Sequence, residues 1–207
     1  MIKFTVVTIT YNAATVFGRT ADSVLHQDYR NVEHLIIDGA STDGTKELAE
    51  DYKRRSDALD NGHEIRIVSE PDKGLYDAMN KGLSMATGDY VCFMNAGDFY
   101  PDGGTLSLIC VKARLDECVA QGGRLPAVLY GDTDWVDNEG NYMRRRRLVP
   151  PERLDWRSFR HGMLVCHQAF YARTDIARRF PYDLRYRHSA DVDWCIRVMK
   201  EAGRMGL

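Results

Sequence analysis

Residues 33–50 read EHLIIDGASTDGTKELAE: an aliphatic run closing on an acid, a turn of small and polar residues, then a mixed polar and apolar stretch. The run EHLIID predicts a buried strand. Lys46 to Leu59 predicts a helix opening at a Ser/Thr/Asp-rich N-cap region. The same unit recurs along the chain. FTVVTIT (4–10) precedes a helical pattern through Val16, Ala21, Val24 and Leu25; EIRIVSE precedes a helix from Leu75 to Ala86; YVCFM precedes a helix from Thr105 to Val119. Four strand-helix units in succession predict an α/β, Rossmann-like fold, with a mostly parallel sheet carrying helices on both faces.

Two of these strands end in acidic clusters, Asp38-Gly39-Ala40-Ser41-Thr42-Asp43 and Asn95-Ala96-Gly97-Asp98. Open α/β sheets bind ligands at the carboxyl ends of their strands, so these clusters point to a nucleotide diphosphate and its metal. A third cluster, Asp191-Val192-Asp193, offers a base that the first two lack. The turn after the first strand is Tyr11-Asn12-Ala13-Ala14, with no GxGxxG, and no GxxxxGK[ST] loop occurs. The diphosphate must therefore be neutralised by a metal and side chains rather than by a glycine-rich turn.

At 207 residues, with 44% hydrophobic and 28% charged residues, the chain has ordinary globular composition and length for a full core. A net charge of -2 gives no overall pull toward nucleic acid. The five cysteines are scattered without a CxxC pair, which predicts buried thiols in a reducing compartment. Residues 1–207 are expected to form a single domain. Its nucleotide-binding half runs over 1–123; the acceptor-side half, 124–207, reads as cut short at its C-terminus. In that second half AVLYGD and HQAFYAR read as strands, VDNEGNYMRRRRL as an excursion turning at Asn138-Glu139-Gly140, and Ser189 to Ala202 as a helix. The N-terminus has no signal-peptide pattern and no stretch has membrane-span length, so the expected location is cytoplasmic, with any membrane contact peripheral.

TVVTITYNA, LIIDGASTDGT, SEPDKGLYDAMNKGLSMATGDYVCFMNAGD, HQAFYAR and HSADVDW follow one another in this order. Together they resemble the inverting family 2 glycosyltransferases of the GT-A fold, in the branch similar to bacterial capsule and colanic acid enzymes. The resemblance covers nearly the whole chain. It implies a transferase that moves a sugar from a nucleotide diphosphate, with UDP as the expected carrier, to a glycan or lipid-linked acceptor in surface polysaccharide synthesis. It also implies a divalent cation, Mg²⁺ or Mn²⁺.

Residue by residue, the resemblance places Thr8, Tyr11, Asn12 and Asp38 at the donor's base and ribose. Uracil suits Asp38 because a carboxylate accepts from an imide N–H. Asp43 reads better as a helix cap. Lys73 is expected at a phosphate and Gly74 at a close backbone approach, with Asp77 and Asn80 one helical turn apart on a shared face. The family's Asp-x-Asp is reduced here to a single acid, Asp98, with Asn95 able to bond ribose or phosphate. This predicts weak metal binding without donor. Asp191 matches the family's base, and Asp193 reads as structural. His167-Gln168 resembles the acceptor-side motif, although a satisfied core histidine reads almost as well. His188 is open between a phosphate contact and none. Arg144 to Arg147 read first as a solvated face and second as an attraction for anionic lipid or pyrophosphate. The competing readings are a noncatalytic nucleotide-sugar-binding module and a nucleotidyltransferase. The latter is disfavoured by the missing basic glycine-rich loop.

Overall fold

Phe4–Thr10 (β1) and Val32–Asp38 (β2) are buried at every position, as expected of central strands covered on both faces. The computed structural model describes residues 1–206. Ala14–Leu25 (α1), Thr45–Leu59 (α2), Glu64–Ser69 (β3), Leu75–Met85 (α3) and Tyr90–Asn95 (β4) continue the strand-helix alternation. Thr105–Lys112 (α4), Leu115–Ala120 (α5), Val128–Tyr130 (β5), Asp134–Val136 (β6), Tyr142–Arg145 (β7), Phe170–Arg173 (β8), Thr174–Ala177 (α6) and Ala190–Arg204 (α7) follow. One six-stranded sheet has the order β3-β2-β1-β4-β8-β5, and β6 with β7 forms a separate hairpin. The first four strands are parallel, whereas β8 runs antiparallel to β4 and β5 antiparallel to β8.

Strand alternation divides the core. Val7 and Ile9 of β1 face α3, α6 and α7, where Phe93, Phe170, Tyr182 and Trp194 lie in one cluster. Phe4 and Val6 face the other way, toward Val24 of α1 and Leu106 of α4. A Cβ on Gly82 would stand 2.3 Å from Val7 Cγ1, so glycine permits the close approach of α3 to the sheet. Among the described residues no helix is long and apolar enough to cross a membrane, and the five cysteines are free.

Two expected elements differ. The helix predicted from Thr105 to Val119 is broken, because Arg114 takes a left-handed φ of 51°. Leu106 and Cys110 share a buried face that Leu115 would leave on a continuous helix, and the break returns Leu115 to the same cluster. HQAFYAR is a strand only from Phe170; His167–Ala169 form a 3-10 turn. That turn frees the His167 and Gln168 side chains to reach groups on other elements.

His34 lies wholly inside, bonded to Thr8 Oγ1 at 2.8 Å and Tyr52 OH at 2.8 Å. Burial pushes its pKa down to about 3, with His63 adding a smaller repulsion. The unfolded chain, near 6.5, thus takes up a proton that the folded chain refuses. The stability contribution is complete above that unfolded value and is lost as pH falls toward the folded one. Urea denaturation is expected to show stability declining by up to about 1.4 kcal/mol per pH unit below roughly pH 6, a slope that His34→Gln reduces. An unchanged slope in the variant would assign the effect to other groups.

Candidate active site

Strand register sets the site. Thr10 pairs with Asp38, Asp38 with Ser69 and Ile9 with Asn95, so the carboxyl ends of β1 to β4 stand level along one edge. The acidic clusters are therefore brought to a common edge, although their individual side chains do different work.

Asp38 is wholly buried and accepts from Ser41 N–H at 3.0 Å, from Ser41 Oγ, and from Ser69 Oγ at 2.6 Å. Its expected uracil contact is corrected: the carboxylate shapes the β2 turn and links it to β3. Thr8 is likewise corrected. It is buried on the α2 face, with its hydroxyl spent on His34. Two residues on, the buried Thr10 Oγ1 has no partner at the strand end. Asn12, at φ 48°, donates its N–H to Ser41 Oγ at 2.8 Å and accepts Thr42 N–H at 2.9 Å. Tyr11 beside it is 67% exposed, an uncovered aromatic face at the sheet edge.

Asp72, not singled out in the sequence, reaches this place. A Cβ on Gly39 would stand 2.7 Å from Asp72 Oδ2 and 3.2 Å from the Tyr11 ring, so Gly39 lets both groups converge. Asp72 Oδ1 accepts Gly74 N–H at 2.8 Å, while Oδ2 accepts no hydrogen bond among the described residues. Gly74, at φ 113°, has open space before it, and Lys73 makes no ion pair among the described residues.

The pair Asp77 and Asn80 does not form a shared ligand face. Asp77 turns back to accept Lys73 N–H at 3.0 Å, closing the first turn of α3. Asn80 both donates to Tyr182 O at 2.9 Å and accepts Tyr182 N–H at 2.7 Å, fastening α3 to the segment before α7. The residue sharing that face is Tyr76, which stacks on Tyr182 at 5.7 Å. Tyr182 stacks in turn on Trp194 at 5.1 Å. This aromatic column fixes the N-terminal turn of α7, three residues before Trp194, where Asp191 sits. The i,i+4 spacing of Tyr76 and Asn80 was the available signal.

Asp43 accepts Ala14 N–H at 2.9 Å and Thr45 N–H at 3.0 Å, serving the first residues of both α1 and α2. Asp193 pairs with Arg197 Nε at 2.7 Å, an i,i+4 ion pair on α7 that gives it a structural role. His188 is exposed.

The remaining residues form one polar chain. Tyr76 OH donates to Asp191 Oδ1 at 3.3 Å, and His167 Nδ1 lies 3.3 Å from Asp191 Oδ2. His167 Nε2 is 3.2 Å from Asn95 Nδ2. Asp98 Oδ2 accepts Asn95 N–H at 3.1 Å and Gln168 Nε2–H at 3.0 Å. With Asn95 donating to Nε2, the neutral imidazole carries its proton on Nδ1 and donates it to Asp191. Burial works to raise the Asp191 pKa, but the hydrogen bond from His167, with Val192 N–H, outweighs it and holds the carboxyl below its ordinary value. Placement at the start of α7 favours the anion in the same sense. The site thus presents an ionised carboxylate, partly open, linked through His167 to Asn95 at the end of β4.

Asn95 Oδ1 is buried without a partner, and Asp98 Oδ1 accepts no hydrogen bond among the described residues. These hard oxygens fit a divalent cation that takes few protein ligands and fills its shell with phosphate and water. A larger protein cage is lacking: no group of three or more His, Cys, Asp or Glu side chains is placed to hold a metal among the described residues.

Comparison with known proteins decides the family, because the sequence profile of Glycosyl transferase family 2 matches residues 5–180. The chain belongs to glycosyl transferase family 2. The family 2 chain is 32% identical over 196 residues to a PGL/p-HBAD biosynthesis glycosyltransferase of Mycobacterium bovis, covering 94% of this chain and 68% of the relative. It is 30% identical over 205 residues to the amylovoran biosynthesis glycosyltransferase AmsB of Erwinia amylovora, covering 96% and 64%. The fold matches Staphylococcus aureus TarS 1-349, solved in complex with UDP, with TM-score 0.72 and 18% identity over 96% of this chain and 55% of that one. It also matches the Mycobacterium tuberculosis glucosyl-3-phosphoglycerate synthase, solved with Mn²⁺ and UDP, at TM-score 0.58 and 15% identity, covering 98% and 67%. The mixed sheet of this glycosyltransferase is accordingly a GT-A fold.

Proposed function

We propose that this family 2 glycosyltransferase moves a sugar from a UDP-sugar to a hydroxyl of a glycan or lipid-linked acceptor, with inversion at the anomeric carbon. The observation that carries this reading is the polar chain from Tyr76 through Asp191, His167 and Asn95 to the Asp98 turn. It sets an ionised carboxylate across from the oxygen ligands at the end of β4. The biosynthetic roles named for the mycobacterial and Erwinia relatives support a glycolipid or surface-polysaccharide product.

In this mechanism Asp191 takes the acceptor hydroxyl proton as the oxygen attacks the anomeric carbon from the face opposite the nucleotide. The bond to the diphosphate oxygen breaks as the new bond forms, and its electron pair leaves with the diphosphate. His167 and Tyr76 hold Asp191 in place, and no covalent enzyme intermediate arises. Asp98 and Asn95 would hold Mg²⁺ or Mn²⁺, which when bound would offset charge on the departing diphosphate. Tyr11 supplies a stacking face for the base, and Asp72 Oδ2 supplies the acceptor for the uracil imide in place of Asp38. Lys73 and the open backbone at Gly74 meet the phosphates, with Asn12 at the ribose.

Thermal shift with UDP, GDP and dTDP, with and without Mn²⁺, tests the donor reading. UDP near a hundredfold excess over Kd is expected to stabilise by about 2.7 kcal/mol, with the larger shift when Mn²⁺ is present. Equal stabilisation by GDP would overturn the uracil assignment. Asp72→Ala is expected to weaken UDP by about 1.5–3 kcal/mol with little change in Tm, whereas Asp38→Ala lowers Tm first. Calorimetry on both variants reads the difference, and a UDP affinity unmoved in Asp72→Ala removes that residue from the site.

A further inference from the structure

We propose that the β6–β7 hairpin and the chain after it, to His161, form a docking face for an anionic lipid bilayer. The hairpin stands apart from the main sheet. Trp135 is 52%, Tyr142 63% and Met143 61% exposed, and Val149 in the following segment is 50% exposed. From Tyr142 to His161 the sequence carries seven arginines against two acids, Glu152 and Asp155, in a chain whose net charge is -2. Arg145 pairs with Asp132, and Arg146 donates to the Leu148 and Leu164 carbonyls. Arg144, Arg147, Arg153, Arg157 and Arg160 have no carboxylate partner within ion-pair distance among the described residues, so the positive charge of this face is largely uncompensated.

The arrangement of these groups selects the partner. Arg144 lies over the Trp135 ring at 5.1 Å, and Arg157 and Lys200 lie over the Trp156 ring at 4.6 and 4.7 Å. Exposed rings and aliphatic side chains interleaved with cations suit the headgroup boundary, where rings enter the interface and cations meet anionic lipid. A soluble polyanion would use the charges and leave Met143 and Val149 without purpose. Arg19 ties the hairpin tip to the body by donating to Asn138 O at 3.0 Å, and it lies over Phe99, next to Asp98, at 5.2 Å. A bilayer on this face is thereby held beside the metal end of the site. The inference rests on the lipid-linked acceptor reading, but its test uses neither donor nor acceptor.

Vesicle flotation of the whole chain compares phosphatidylcholine alone with phosphatidylcholine containing about 30% phosphatidylglycerol. Binding is expected only to the anionic vesicles and to fall as salt is raised from about 0.1 to about 0.5 M. R144A/R147A is expected to reduce partitioning on the order of 30-fold, roughly fivefold for each arginine. W135S/Y142S is also expected to reduce it, through loss of the apolar contact. All four residues are exposed, Trp135, Tyr142 and Arg144 on the hairpin and Arg147 in the segment directly after it, and an unchanged Tm confirms that the variants fold. Equal binding to neutral and anionic vesicles overturns the proposal. So does failure to bind either, or anionic binding that neither double variant weakens. Salt-sensitive binding to RNA or to an acidic polypeptide, without binding to vesicles, would likewise overturn it and give the face to a soluble polyanion. Failure on vesicles alongside UDP binding and sugar transfer would leave the transferase reading standing.

Discussion

Asp191→Asn is expected to lower kcat by about 10²–10⁴-fold while leaving UDP-sugar affinity almost unchanged. Among the described residues, the side-chain partners of Asp191, the proposed base, are Tyr76 OH and His167 Nδ1. Asparagine retains an oxygen for those two donors and loses the capacity to take a proton. The kinetic signature is therefore a fall in kcat with donor binding intact. Asp193→Asn is the control: it loses the ion pair to Arg197 and is expected to cost stability, not turnover. Because the folded Asp191 carboxyl lies below its ordinary value, the base stays ionised at neutral pH. Its protonation should limit turnover only at pH values below the usual carboxylate range. Steady-state rates with calorimetry of UDP check both variants, and a fully active Asp191→Asn enzyme would remove the base from this position.

Asp98→Ala is expected to uncouple metal from nucleotide. With one protein carboxylate, the cation completes its shell with phosphate oxygens, so Mn²⁺ should tighten UDP and UDP should tighten Mn²⁺ by the same factor, about 5- to 150-fold. The variant should lose that mutual gain and several kcal/mol of transition-state stabilisation, on the order of 10²-fold or more in turnover. Calorimetric titration of UDP in Mn²⁺ and in chelator reads the coupling directly. A wild-type affinity indifferent to chelator would show that Asp98 serves only Asn95 and Gln168.

The fold was legible because its signals are local and repeated. β1 is uniformly apolar or β-branched, β2 carries the aliphatic run Leu35 to Ile37 closing on Asp38, and their bounds come within a residue of the pattern. The helix break at Arg114 was not, because it follows from where Leu115 finds a core, a tertiary matter. The site was legible in outline, through the acidic strand ends and Asp191. It misled wherever a polar side chain at the correct edge is consumed by its own backbone or neighbours. Asp38 is taken by Ser41 and Ser69, Thr8 by His34, and Asn80 by Tyr182. Composition and spacing do not distinguish such a spent group from a free one. Tyr76 was missed for the converse reason, since its partner Asp191 is distant in sequence.

The most direct test of the central claim is the anomeric configuration of the product, read by NMR after transfer from the UDP-sugar selected by thermal shift. Attack on the face opposite the diphosphate, with Asp191 as base and no covalent intermediate, predicts a product of inverted configuration in every turnover. A product that keeps the donor's configuration would contradict direct displacement and the role given to Asp191.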